Sequence, residues 1–159
     1  MFRAGVLALT AAFLAADAAD ETAFKENSDK IAGTVWTATT AKGEKSEMRF
    51  EWVLDKQFLK ETWTFYGDTG HIFHGIDPAT GKETAWCFDN KGRVGRGSAT
   101  RPKAGVLVYV EKGQGKLGPY SWKSTTTDLD SDRKRVEIQE NIVDGKTIPP
   151  ETIIMTRKK

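Results

Sequence analysis

A single cysteine, Cys87, in a chain of 159 residues excludes any internal disulfide. The fold must therefore be held by packing and backbone hydrogen bonds. Charge of one sign is equally scarce. A formal net charge of +2 is too small to imply nucleic acid as a partner, and the basic clusters Arg133-Lys134-Arg135 and Arg157-Lys158-Lys159 read as solvated strand ends. Only two histidines are present, His71 and His74. Their spacing suits one metal ion on a helix, but on a strand residues three apart point to opposite faces, so no metal site is expected. The chain lacks a Ser-His-Asp order, a phosphate-cradling glycine loop and a zinc cysteine spacing. Gly95-Arg96-Gly97 and Gly113-Gln114-Gly115 lack the strand-to-helix context of a dinucleotide fingerprint. No catalytic residue and no cofactor is expected on these grounds.

Long hydrophobic runs are missing too, apart from Ala4 to Ala16, which is too short to span a membrane as a helix. It follows the positive charge of Met1-Phe2-Arg3 and precedes Ala16-Asp17-Ala18, with small residues where a signal peptidase reads. Residues 1–18 are thus expected to be a signal peptide, and the mature chain to be secreted or periplasmic without an integral membrane segment. Cleavage near Ala18 or Ala19 leaves no cysteine for a lipid anchor. Residues 19–33 show no clear period and read as an N-terminal arm, in which Phe24 and Ile31 could anchor a short helix. Residues 34–159 form the domain proper.

What the chain does have is alternation. A hydrophobic fraction of 38% and five Trp argue against disorder. From Met48 to Arg101 bulky and polar residues alternate with period two, broken by turn signals about every twelve residues. The turns are the polar loop Ala41 to Ser46, Asp55-Lys56, a four-residue loop Gly67 to Gly70, Asp77-Pro78-Ala79-Thr80-Gly81, Asn90-Lys91-Gly92, Pro102 to Gly105, a looser loop Gly113 to Gly118, Asp128 to Asp132, and Val143-Asp144-Gly145-Lys146 with the Asp-Gly signal of a type I′ turn. Roughly ten strands result, and no long amphipathic helix is available to cover a sheet face. The expected fold is all-β, a single antiparallel up-and-down β-barrel of about ten strands, with a two-sheet sandwich as the alternative. Eight strands already come near the size that side chains alone can fill, so ten should leave an interior.

Hairpin register tests the alternation independently. Leu54 opposite Gln57 puts Trp52 on Leu59, Phe50 on Glu61 and Met48 on Trp63. Tyr66 opposite His71 puts Phe65 on Ile72, Trp63 on His74 and Glu61 on Ile76. Both steps gather the large apolar residues on one face, the expected lumen, and send Arg49, Glu51, Lys60, Thr62 and Thr64 outside. Asp77 opposite Lys82 puts Ile72 on Cys87 and His74 on Ala85. The next turns put Cys87 on Gly95, Ala85 on Gly97 and Ala99 on Val108. One wall of small residues then faces a bulky one. It leaves room either for a ligand or for the opposing Trp and Phe side chains. Phe58, Phe73, Trp86 and Phe88 fall outside, Trp86 opposite Arg96 as a cation–π pair, and call for cover by the arm or for a homodimer contact.

Polar residues on an apolar face are the informative ones. Glu61 and His74 are diagonal neighbours there, which would let the carboxylate position the imidazole as a base or hold a polar end of a ligand; a satisfied structural pair is the plainer reading. Glu140 is a third such residue. Cys87, with no basic group nearby, reads as an inert buried thiol.

The opening Ile31-Ala32-Gly33-Thr34-Val35-Trp36 resembles the first strand of lipocalin-like barrels. Phe50-Glu51-Trp52-Val53-Leu54, Gly75 to Gly81 and Trp86 to Gly92 are similar to secreted bacterial proteins of the lipocalin-like (calycin) type. The strand count is similar to nitrobindin and fatty-acid-binding barrels. The resemblance implies a barrel with an internal pocket. It does not extend to the haem-binding histidine late in nitrobindins, since none follows His74, nor to the paired carboxylate-binding arginines of fatty-acid barrels, since Arg96 falls outside. The functional expectation is a non-catalytic barrel holding a small, largely apolar ligand against Trp36, Phe50, Glu61, Trp63, His74, Ala85, Cys87 and Gly97. The alternatives are an enzyme using Glu61 and His74 on a lipid-like or aromatic substrate, and a surface interaction module with a solid core.

Overall fold

The structure, a computed structural model, describes residues 21–40, 43–65, 67–139 and 141–159. The expected signal peptide, Tyr66 and Glu140 lie outside the described residues. Among the described residues, twelve strands follow a helix over residues 21–31. The first eight are β1 (Val35–Thr39), β2 (Lys45–Val53), β3 (Phe58–Phe65), β4 (Asp68–Asp77), β5 (Lys82–Asp89), β6 (Val94–Lys103), β7 (Val106–Gly115) and β8 (Gly118–Asp128). The rest are β9 (Arg133–Ile138), β10 (Asn141–Val143), β11 (Lys146–Ile148) and β12 (Glu151–Arg157).

From β1 to β8 each strand pairs antiparallel with the next. β8 then pairs with β9, β9 with β12, and β12 with β1, so the ring closes. The protein is a closed antiparallel barrel of ten strands, and the sandwich alternative falls. β10 and β11 stand outside the ring as a hairpin. Ile142 opposite Ser121 ties it to β8, and buried Asn141 accepts the Lys123 N–H at 2.6 Å. Its Asp144-Gly145 turn has φ of 52° and 72°, the type I′ geometry that Asp-Gly favours.

The β2–β3 register is as the sequence predicts, with Met48 on Trp63, Phe50 on Glu61 and Trp52 on Leu59. The β3–β4 register is not. Phe65 pairs with Asp68, and Glu61 lies opposite Ile72 rather than Ile76. Gly67, at φ 78°, allows a tight turn, so Asp68 to Gly70 belong to β4 rather than to a loop. The slip is four residues, an even number, and every side chain keeps its face. A second correction concerns β6 and β7. Ala99 lies opposite Tyr109, not Val108, because the ladder is irregular between Thr100 and Lys103, where Pro102 has no N–H to give. Third, Gly113 to Gly118 is not a loose loop: β7 and β8 run to a tight turn with Gly115 opposite Gly118.

The helix closes one end of the barrel. Phe24 and Ser28, four apart and on one face, are its buried residues. Phe24 meets the Trp52 ring edge-on at 5.9 Å, and Trp52 Nε1 donates to Asp29 at 2.8 Å. Gly33, at φ 77°, ends the segment and turns the chain into β1. No helix among the described residues is long and apolar enough to cross a membrane.

The β2–β3 turn holds Asp55 and Lys56 at φ 53° and 61°, with Gln57 N–H donating to the Leu54 carbonyl at 3.0 Å. A type I′ turn without glycine carries the left-handed penalty of about 1–2 kcal/mol per residue, less for Asp. Lys56 is exposed, and its 3.8 Å ion pair with Asp29 is a surface one of little worth. Lys56→Gly is therefore expected to stabilise the protein by about 0.5–1 kcal/mol, read as a higher urea midpoint at unchanged slope.

Candidate functional site

The ring encloses a cavity of about 830 Å³ that runs between the two ends of the barrel. Its walls follow from the strand alternation. Trp36 on β1, Phe50 on β2, Glu61 and Trp63 on β3, His74 on β4 and Cys87 on β5 all line it. Trp63 and Trp122 pack against both halves of the core. One half is built on Trp36, Ile138 and Met155, the other on Ile72, Ala85 and Tyr109. Ala85 and Gly97, expected at the ligand, do not line the cavity. Tyr109 packs on Ala85 and lies over Gly97, where a Cβ would come within 2.9 Å of its hydroxyl.

The small wall thus makes room chiefly for tyrosines. Tyr109 Oη donates to Glu111 Oε2 at 2.6 Å, and Tyr120 Oη donates to Glu111 Oε1. Added Cβ atoms at Gly95 and Gly113 would overlap the Tyr120 side chain. Glu111 is only 4% exposed. Sequence reasoning missed this group because Ala99 opposite Val108 is one residue out, and a slip of one turns Tyr109 and Glu111 to the outer face. The signal was nonetheless present: glycines at inward strand positions require large side chains from neighbouring strands.

Glu61 and His74 sit side by side, as expected. His74 Nε2 lies 3.3 Å from Glu61 Oε2, both side chains buried and facing the cavity. His74 lies diagonally across from Glu61, opposite Leu59, and its ring is 6.1 Å from that of Tyr109. A polar band therefore crosses the lumen from Glu61 through His74 and Tyr109 to Glu111 and Tyr120. His71, by contrast, is exposed on the outer face within 3.1 Å of Thr62 Oγ1, so the two histidines cannot share an ion.

At the rim opposite the helix, buried Arg93 binds Asp68 and Asp89 and approaches Asp144 at 3.6 Å. Burial opposes the guanidinium charge, but hydrogen bonds to Asp89 and Asp68 outweigh it and hold the group above its ordinary value. This guanidinium joins the β3–β4, β5–β6 and β10–β11 turns. On the outside, Arg96 stacks 5.9 Å from the Trp86 ring as the register predicts, and Phe58–Trp86 and Phe73–Phe88 form edge-to-face pairs. The helix covers the Phe58 end of this patch and leaves Phe88 exposed.

Burial, then the Glu111 carboxylate, pushes the Cys87 thiol well above its usual value. A thiol so held is a poor nucleophile. Burial and Glu111 act in the same way on the Tyr109 and Tyr120 hydroxyls.

In comparisons with known proteins, no family model matches the chain and no curated protein matches it significantly. Fold and site together define a closed β-barrel with an internal, aromatic-lined pocket crossed by a band of buried acids, hydroxyls and one imidazole.

Two outcomes follow from the shifted groups. The stability that Tyr109 and Tyr120 contribute is fully present below their unfolded value of about 10 and is lost as pH rises beyond it, because the unfolded chain releases those protons first. Absorbance at 295 nm in an alkaline titration should show them ionising only as near-ultraviolet circular dichroism collapses; ionisation with tertiary structure intact would place them at the surface. Cys87 should resist a neutral-pH thiol reagent in the folded protein and react once urea is added.

Proposed function

We propose that this protein is a non-catalytic, lipocalin-like carrier that holds a small, largely apolar molecule in its lumen. The observation that carries the reading is the cavity of about 830 Å³ lined by Trp36, Phe50, Trp63 and Trp122. Its size is in the range of roughly 300–1,000 Å³ typical of small-molecule pockets, and such pockets are mostly apolar with few polar groups. An open lumen weighs against an interaction module with a solid core. The export signal read at residues 1–18 fits a carrier working in the periplasm or outside the cell.

A second reading is favoured by the 3.3 Å contact between Glu61 and His74 inside the cavity. A carboxylate that orients an imidazole makes a general base, and an enzyme acting on a bound aromatic or lipid-like substrate would use it. Once a ligand is in hand, Glu61→Gln and His74→Ala separate the two: a carrier changes affinity only, whereas an enzyme loses turnover at saturating substrate.

Native mass spectrometry of the protein purified from its own host tests the carrier directly. The expected result is a population heavier than the bare chain by one small molecule, released by organic solvent with a change in tryptophan emission. Repeated recovery of the bare chain alone would count against it.

A further inference from the structure

We propose that the molecule held in the lumen is a cation: an apolar, preferably aromatic body bearing a protonated amine or quaternary ammonium group, with its charge seated at Glu61 and Glu111. The inference rests on the carrier reading and gives its ligand a chemical class.

The lumen contains more negative than positive groups. Glu61 and Glu111 are 6% and 4% exposed, and among the described residues the imidazole of His74 is the one basic side chain between them. Among the described residues, the contact with His74 is the one hydrogen bond the Glu61 carboxylate makes. Glu111 is held by two tyrosine hydroxyls, neutral donors that bring no positive charge to it. Among the described residues, every lysine and arginine that lines the cavity stands at a rim. Three of them are already matched: Arg93 by Asp68 and Asp89, Arg101 by Glu83, and Lys134 by Asp128. Lys30 and Lys103 are exposed to solvent.

An anionic ligand placed mid-lumen would meet two carboxylates and, among the described residues, no free guanidinium or ammonium. A cationic one would find both partners that a desolvated ammonium favours, carboxylate oxygens and aromatic faces. The barrel already seats one cation on a luminal indole, with Lys134 Nζ 4.9 Å from the Trp36 ring centroid. Trp63, Trp122 and Tyr109 offer comparable surfaces beside the polar band. Packing alone does not account for the acids, because neutral side chains of similar shape fill a buried position at lower cost.

Three ligands of matched shape test the charge: 1-naphthylmethylamine, 1-naphthylmethanol and 1-naphthoate, titrated calorimetrically into the full chain at pH 7. The amine is expected to bind at least about tenfold more tightly than the alcohol, and the carboxylate most weakly. In Glu61→Gln the advantage of the amine should fall to about threefold or less while the alcohol binds as before, which also shows that the variant is folded. Equal binding of all three, or a preference for the carboxylate, would overturn the cation while leaving the carrier reading in place. Binding by none would remove the carrier reading and the cation with it. An amine preference that Glu61→Gln leaves intact would overturn the placement at Glu61.

Discussion

Everything in this molecule depends on β12 having a partner on each side. Its hydrogen bonds to β1 and to β9 turn a ten-strand ribbon into a ring. A ribbon of this length with one apolar face would have to fold back on itself or find another surface. As a ring it needs neither, and its inward face encloses volume instead of meeting a second layer. With no internal disulfide available, the closure is made by backbone ladders and by the core of Trp36, Val136, Ile138, Ile153 and Met155 that flanks the seam.

Ten strands give a ring wider than its own side chains can fill. The protein fills it unevenly. Near the seam the core is apolar. Across the lumen, small residues on β5 and β6 make room for Tyr109 and Tyr120, and their hydroxyls converge on a carboxylate that has no cationic partner among the described residues. Indole surfaces and buried acids thus share one chamber, and both carrier and enzyme readings draw on that juxtaposition.

The faces of the strands were legible in the sequence because the pleat has period two, and an error of two or four residues leaves every side chain on its own side. This is why Glu61 and His74 come out as diagonal neighbours although the β3–β4 ladder is displaced by four from the register that Gly67 to Gly70 suggests. Turn chemistry set the outcome elsewhere. Asp77 to Gly81 and Asn90 to Gly92 carry strong local preferences and gave correct ladders through Gly97. The glycines of β7 carry no such preference. They serve a side chain on the next strand, a long-range demand that a local reading takes for a loop, and Ala99 set on Val108 is one residue out, which inverts the faces of β7 and hides Tyr109 and Glu111. The β10–β11 hairpin shows the complementary limit: its Asp-Gly turn is plain, but no local signal says that the two strands leave the ring.

The seam has a kinetic side. Thr37 and Thr156 are 119 positions apart, yet they meet across the closing ladder. During synthesis β1 must wait, unpaired on one edge, until almost the whole chain has been made. Contacts so distant in sequence fold slowly, and an open edge beside an aromatic face invites the wrong neighbour. Loss of the last seven-residue strand would therefore do more than shorten the barrel: it would leave a half-built sheet with two free borders and its inner surface turned to the solvent.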